Sequence, residues 1–305
     1  MTHQIFDRKL LRLHRDRAAK KFTEHNFLFQ EVGHRLVDRL QDIKRHFRLA
    51  VELGSHDGVL KKLIGNLKSI EMLFQTDISE KLLRSGTGNF VSDEEFLPLK
   101  PLSIDLAISN LSLHWVNDLP GTLTQIRQSL KPDGLFIGSI LGGNTLIELR
   151  NVLTEAETSL TNFSVPHLSP FAELADAASL LQRAGFSLPV ADNDLIKVSY
   201  SDAFKLMRDL RGMGENNCLL NRSNKFIRKE ILLRAANNYL ERYSNDKGEI
   251  MASFEIVYLT GWAPAANQPK PLKPGSAHYR LSDALNNQTN SLSSVKGNNG
   301  FKNSY

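Results

Sequence analysis

Apolar positions in the first 47 residues recur at helical spacing. Leu10, Leu11, His14, Ala18 and Phe22 form one series, and Val32, Leu36, Val37, Leu40 and Ile43 form another. The spacing predicts helices across 6–47. From residue 48 short apolar runs alternate with helical stretches. Arg48 to Leu53 reads as a buried strand that ends on Gly54-Ser-His-Asp-Gly58, and Val59 to Leu67 as a helix. Ile70 to Gln75 is a second strand closing on Thr76-Asp77, after which Ser79 caps a helix running to Leu83. Ile104 to Ser109 is a strand, Leu119 to Leu130 a helix, Lys131-Pro-Asp-Gly134 a turn, and Leu135 to Leu141 a further strand. Strands alternating with helices imply right-handed crossovers and a parallel sheet covered on both faces.

The second half is richer in helix. Leu146 to Leu160 and Pro170 to Ala184 carry the helical period, as do Ser201–Leu210 and Lys225–Tyr243. Leu195 to Tyr200 and Ala252 to Trp262 read as strands, expected as the last pair of the same sheet with the intervening helices inserted on one side. The domain division expected is an N-terminal basic helical arm at 1–47, a core domain at 48–263 with its helical insertion at about 201–245, and a tail at 264–305. The tail is rich in Pro, Asn and Ser and is expected to be disordered after 286.

Composition narrows the function classes. The chain has 305 residues, 41% hydrophobic and 23% charged, which is long enough and apolar enough for a sizeable core. It contains no apolar run of about 20 residues, so no membrane-spanning helix is expected. The single cysteine, Cys218, excludes a disulfide scaffold and any multi-cysteine zinc site. Residues 1–48 hold 12 Lys and Arg against 6 Asp and Glu, so the net charge of +5 belongs to the arm. Such an arm is either a docking surface for an acidic partner or a solvated packing helix. It lacks the interleaved aromatic residues of a nucleic-acid binder, so no nucleic-acid partner is expected. No signal peptide follows Met1, which points to a bacterial cytoplasm ahead of a mitochondrial matrix.

The first strand turn carries the candidate chemistry. In an open α/β sheet ligands bind outside the carboxyl ends of the strands. A glycine directly after the strand permits a tight turn, and the next helix presents free N–H groups there. Asp77, about 20 residues on, stands where a carboxylate can accept two ribose hydroxyls. Two glycines and an acid have a bland reading as well, as an ordinary connection.

Longer strings add to them. Glu52-x-Gly54…Gly58, Thr76-Asp77-Ile-Ser79, Leu97-Pro98 and Leu130-Lys-Pro-Asp-Gly134 resemble the class I S-adenosylmethionine-dependent methyltransferases. Asp93-Glu-Glu-Phe-Leu-Pro98, Ser112-Leu-His-Trp-Val-Asn-Asp-Leu-Pro120, Gly142-Gly-Asn-Thr-Leu-Ile-Glu-Leu-Arg150, Gly212-Met-Gly-Glu-Asn-Asn-Cys218 and Gly261-Trp262 resemble, more narrowly, the respiratory complex I assembly factor 5 subfamily. Phe6-Asp-Arg8 and Pro274-Gly-Ser-Ala277 belong to the same resemblance, which runs from about Phe6 to Leu285. It implies an α/β, Rossmann-like class I methyltransferase fold with a mostly parallel seven-stranded sheet, helices on both faces and an inserted helical segment. It implies S-adenosyl-L-methionine as cofactor, with Glu52, Gly54 and Gly58 along its methionine part, Asp77 on the ribose and Asp93 at the adenine amino group. It further implies a protein substrate, with a respiratory complex I subunit as the candidate. The family's mitochondrial member is a protein arginine hydroxylase acting on a quinone-site subunit.

One position departs from the pattern. His56 stands where the family's turn carries glycine. Three readings follow: a turn that shifts and still binds, a turn whose binding is weakened or lost, or a histidine with a chemical role. Methyl transfer needs alignment of a nucleophile more than it needs a base. Asn110, His114 and Trp115, after the fourth strand, are therefore assigned to substrate positioning, with helix-start packing as the alternative for the last two. No catalytic base is assigned. No metal site is expected either, because His14-Arg-Asp16 spans i and i+2 of a helix, which do not share a face. Three functions remain open: a methyltransferase acting on a protein side chain, an arginine hydroxylase serving complex I, and a non-catalytic assembly factor.

Overall fold

A computed structural model of the chain describes residues 4–65, 67–83, 86, 88–171, 174–223 and 225–269. Met1–Ala265 form one compact unit and Ala266–Tyr305 a second. The expectation of disorder after 286 and the segment Pro274–Ala277 lie outside the described residues.

Three helices open the chain: α1 (Arg8–Ala18), α2 (Phe22–His25) and α3 (Phe27–Gln41). The Asp7 carboxylate caps α1 by accepting from Leu10 N at 3.0 Å. α3 buries Leu28, Phe29, Val32, Leu36, Val37 and Leu40, the continuous stripe that a 3.6-residue period places on one face. Then come β1 (Phe47–Leu53), α4 (Val59–Ile64), β2 (Ile70–Asp77), β3 (Phe90–Val91), β4 (Ile104–Asn110), α5 (Leu119–Ser129) and β5 (Leu130–Leu141). The rest is α6 (Ile147–Thr161), α7 (Leu174–Arg183), β6 (Ser187–Tyr200), α8 (Ala203–Met213), α9 (Lys229–Tyr243) and β7 (Ile250–Trp262).

The strands form one seven-stranded sheet in the order β3-β2-β1-β4-β5-β7-β6. The first five run parallel, and β7 lies antiparallel between β5 and β6. This is the mostly parallel, Rossmann-like architecture expected from the sequence. One buried cluster joins α3, α6, α8 and α9 to one face of the sheet, and a second joins α5 and α7 to the other. The chain leaves β1 toward β2 on one side and finds β4 on the other, so the order reverses at β1. Leu53 pairs with Thr76 and with Ser109. That register brings Gly54, Asp77 and Asn110 out side by side, at the place where open sheets bind ligands.

Three local expectations change. No helix forms over 79–83: Ser79 Oγ accepts from Leu82 N at 3.1 Å, but the cap closes a single turn that does not propagate. Lys131–Gly134 does not end a helix ahead of the strand. It lies inside β5, with a register shift opposite Ile104–Leu106 and Asp133 at φ 62°. β6 begins at Ser187, eight residues before Leu195. Asp192-Asn-Asp194 hides that strand from a propensity reading, yet its pairing to β7 through Asp192, Asn193 and Asp194 holds it in the sheet.

Several of the arm's basic residues pair with acids within the fold. Arg35 bonds Glu31 at 2.7 Å and Asp194 at 3.1 Å, while Arg39 bonds Asp192 at 3.0 Å and lies 3.7 Å over the Tyr258 ring. Among the described residues no helix is long and apolar enough to cross a membrane.

The start of the arm is stapled to the core. The Asn117 Oδ1 accepts from Ile5 N and Phe6 N, both at 2.7 Å. Phe6 meets Trp115 edge-on at 5.4 Å, and Asp7 N donates to Cys218 O at 2.8 Å. Asn117→Ala leaves two backbone donors without that acceptor. We expect a loss of about 1–3 kcal/mol, with amide exchange at Ile5 and Phe6 accelerating before that of β1. Unchanged exchange there removes the staple from the account.

Candidate functional site

The turn after β1 takes left-handed backbone at three residues: Gly54 (φ 67°), His56 (φ 49°) and Gly58 (φ 79°). Glycine adopts this freely, and histidine is among the few other residues that tolerate it. A β-carbon on Gly54 would lie 2.0 Å from Ser112 Oγ, so only glycine lets the segment after β4 come this close.

Asp77, at the tip of β2, is completely buried. Its carboxylate accepts from His56 N at 3.0 Å and from Ser79 N at 2.8 Å. A third partner was not anticipated from the sequence. Arg15, on α1, donates through Nη1 to both Asp77 oxygens at 3.3 and 3.2 Å and to Glu94 Oε1 at 3.4 Å. Its Nη2 donates to Ser112 Oγ at 2.9 Å, and that hydroxyl donates to Glu94 Oε1 at 2.6 Å. Arg8, two turns earlier on the same face of α1, grips Asp93 at 2.6 Å, Glu94, and the Trp115 carbonyl at 3.2 Å. The basic arm therefore brings two guanidinium groups into the cluster of acids at the strand ends.

Charge in this cluster follows from burial set against pairing. Burial is the largest influence on Glu94 and would raise its carboxyl. Arg8 and Arg15, helped by the Ser112 hydroxyl, overcome it and hold the group at about 2. Asp77 stays above its ordinary value, because burial outweighs Arg15 and its two amide donors. Glu52 forms no ion pair among the described residues, and the charge of Lys61 opposes burial only weakly. Burial pushes it to about 8 against the opposing hydrogen bond from Gln75 Nε2 at 2.8 Å. The Cys218 thiol is pushed up to about 12 by burial and rests against His14 Nδ1 at 3.3 Å, as an inert structural thiol does.

His56 does not project into the turn's concave side. Its ring lies parallel to Phe22 at 5.6 Å and 4.3 Å from Phe29, and its Nε2 donates to the Asn110 carbonyl at 3.2 Å. Burial, with Arg15 nearby, lowers its pKa to about 3, so it is a neutral packing wedge between arm and sheet. The ring is accommodated against Phe22 and Phe29, away from the Asp77 carboxylate that its backbone amide bonds.

The structure thus gathers Gly54, Asp77 and Asp93 around the two arginines. Glu52 and Gly58 stand beside Gln75, where a β-carbon on Gly58 would lie 3.3 Å from Gln75 Nε2. Asn110 is committed elsewhere. Its side chain donates to Phe29 O at 2.9 Å and accepts from Ser139 Oγ at 3.1 Å, so it ties α3 to the sheet. His114 and Trp115 form a pair, but around a residue that the sequence had not singled out: Glu215 Oε2 accepts from His114 Nε2 at 3.0 Å and Trp115 Nε1 at 2.9 Å. Gly214 (φ 79°) caps α8, and a β-carbon on Gly212 would strike the His25 ring at 2.1 Å. The Gly212–Cys218 string is therefore a helix end whose next residue turns into the site. Among the described residues no group of three or more His, Cys, Asp or Glu side chains is placed to hold a metal ion.

Arg15 was legible in hindsight. It sits between Leu11 and Ala18 on the buried stripe of α1, where an arginine needs a partner. Glu94, Ser112 and Glu215 lie in the strings that carry the family resemblance, but their individual roles were not legible, since each acquires its role from a chain segment distant in sequence.

Two outcomes test this geometry. His56→Gly relieves the left-handed backbone but empties the slot between Phe22 and Phe29. We expect a net loss of about 1–3 kcal/mol in chemical denaturation, and a more stable variant would show that the ring is merely tolerated. Glu52→Gln addresses pH. The folded carboxyl ionises near 8 against an ordinary 4.5, so folding is increasingly disfavoured as pH rises from 4.5 to 8. The variant should melt above wild type at pH 8, by roughly 2–4 °C per kcal/mol recovered, with the gap closing toward pH 4.5. A gap that widens on acidification contradicts the assignment.

Residues 51–138 match the model of a methyltransferase domain. The chain is 44% identical over 284 residues to the human mitochondrial protein named arginine-hydroxylase NDUFAF5, covering 90% of this chain and 82% of that one. It is 31% identical over 292 residues to a malonyl-[acyl-carrier protein] O-methyltransferase of Xylella fastidiosa (strain M23), covering 92% and 96%. The YcgJ protein of Bacillus subtilis shares the fold at a TM-score of 0.53 and 10% identity, over 76% of this chain and 99% of that one. With this similarity over nine tenths of its length and this strand order, the chain belongs to the class I methyltransferase-fold family, in the branch of the complex I assembly factor 5 proteins.

Proposed function

We propose that the chain is an S-adenosylmethionine-dependent enzyme that modifies a protein side chain. The observation that carries this reading is Asp77, a buried carboxylate fixed by two backbone amides beside a turn with three left-handed residues. Two oxygens fixed in this way suit the vicinal hydroxyls of a ribose. Ser112 Oγ already stands where a β-carbon on Gly54 would, so the fit to the group rests on Asp77. When bound, the cofactor supplies an electrophilic methyl on a sulfonium.

The chain's own residues hold and orient. Asp77 takes the ribose, Asp93 the adenine edge, and Glu52, Gly54 and Gly58 flank the methionine part. Arg15 now holds both Asp77 oxygens, so a ribose must draw that carboxylate away from the guanidinium. Phe22, Phe29 and the arm helices exclude water from the turn, which strengthens each charge contact within it. His114 and Trp115 face the acceptor side. A bacterial cytoplasm is the compartment this reading assigns.

A second reading is arginine hydroxylation of a complex I subunit, favoured by the 44% identity to a protein of that name. Calorimetry of the full chain with S-adenosylmethionine tests what both share. Wild type should bind, and Asp77→Asn should bind at least about tenfold more weakly. No binding by folded wild type leaves a non-catalytic assembly factor. Intact masses of complex I subunits from cells with and without the protein then separate the reactions, by the mass of a methylene or of an oxygen.

A further inference from the structure

Glu215 has one oxygen too many for the partners it holds. Oε2 is fixed by the His114 and Trp115 donors, whereas Oε1 is buried and without a hydrogen-bond partner. The side chain is only 7% exposed. It lines a closed cavity of about 20 Å³ among Leu28, Trp115, Phe171, Met213 and Phe254. The Ser169 hydroxyl, also buried and unpartnered, faces the same space. Two orphaned polar groups in one apolar cavity are a costly arrangement, and a donor placed between them would relieve it.

The cavity adjoins an open groove of about 630 Å³, and Leu168 lines both. Ile5, Val165, Pro166 and Leu219 make the groove apolar, which suits the stem of a side chain or a short peptide stretch. Its basic side chains are already engaged. Arg150 Nη2 donates to Ser169 O at 3.2 Å, and His167 Nε2 lies 2.9 Å from Glu157 Oε2. Behind the cavity the 112–115 segment separates Glu215 from the cofactor turn. Ser112 faces Gly54 and Arg15, while His114 and Trp115 face Glu215.

We infer that Glu215 is a specificity-determining residue for the acceptor, receiving on its free Oε1 an N–H-bearing, positively charged side-chain head that enters past Leu168. This rests on the reading of the chain as an enzyme acting on a protein side chain. Burial would raise this carboxyl, but His114 and Arg15 hold it below its ordinary value, so it is ionised at neutral pH. A carboxylate acceptor would meet a like charge in a dry cavity and be rejected. Glu215 would thereby set the acceptor of this chain apart from a malonyl group. The cavity as it stands has room for about one water, so the head displaces that volume and Leu168 must swing aside.

The test uses side-chain mimics on the full-length protein saturated with S-adenosylhomocysteine. n-Butylguanidinium, n-butylammonium and n-butyrate are titrated and followed by ligand-observed NMR. The two cations should bind and butyrate should not. Glu215→Gln keeps an acceptor for His114 and Trp115 while removing the charge, and should weaken the cations at least about tenfold without changing the affinity for S-adenosylhomocysteine. Leu168→Trp should block the cations while leaving Glu215 intact, which covers the case of a misfolded Gln variant. Butyrate binding as well as the cations, or cations unaffected by both variants, overturns the inference. So does a Gln variant that loses S-adenosylhomocysteine but not the cations, since Glu215 would then serve the cofactor. Failure of wild type to bind S-adenosylhomocysteine overturns the enzymatic reading instead.

Discussion

The buried guanidinium of Arg15 is the constraint around which this site is organised. Asp77 and Glu94 converge on one point from β2 and from the loop after β3, and two carboxylates sharing a dry site repel each other. Arg15 bridges both from a helix that precedes the sheet in the chain, and Arg8 on the same helix brings the second positive charge to Glu94. Removing one partner of such a cluster leaves uncompensated charge, which is why buried ion pairs are costly to break. The arm is thereby part of the site, and closing the arm over the strand ends is the same event as completing the charge balance beneath it. The other arm contacts agree with this: Asn117 holds its first residues, Arg8 bridges Asp93 and the Trp115 carbonyl, and His56 is wedged between Phe22 and Phe29.

The sheet supplies the frame for that balance. With β1 between β2 and β4, three strand ends lie level, at the position where open sheets bind ligands. The segment after β4 then divides the region. One side holds Gly54, Asp77 and Arg15, suited to a nucleotide. The other holds Glu215 under His114 and Trp115, beside an apolar groove. A single stretch of four residues, Ser112 to Trp115, thus meets both sides: Ser112 Oγ bonds Arg15 and Glu94, while His114 and Trp115 both bond Glu215.

Much of the framework was legible in the chain. Apolar period alone separated helices from strands, and the strands at 48–53, 70–75 and 104–109 were legible from their apolar runs, although β2 is exposed at Glu71 and Met72 and is buried only toward Asp77. The failures have local causes. Ser79 is a genuine cap, but the residues after it do not sustain a helix. Asp192-Asn-Asp194 has poor strand propensity, and the long ladder with β7 overrides it. The turn chemistry at Gly54 and Gly58 was equally plain, since left-handed backbone favours glycine. Asn110 was misjudged because its position after β4 says nothing of Phe29 O, which meets it from 81 residues away.

The sequence by itself determined the parallel sheet, the glycine turn, the acid at the end of the second strand and the basic character of the arm, because each is a pattern among neighbours. Only the tertiary structure decided where the arm's charge goes. Arg15 reaches Asp77 across 62 residues, and Glu215 reaches His114 across 101. Pairings of that span are invisible to periodicity. They arise because burying a charge is tolerable only beside its opposite, and which opposite is near depends on how the helices close over the sheet.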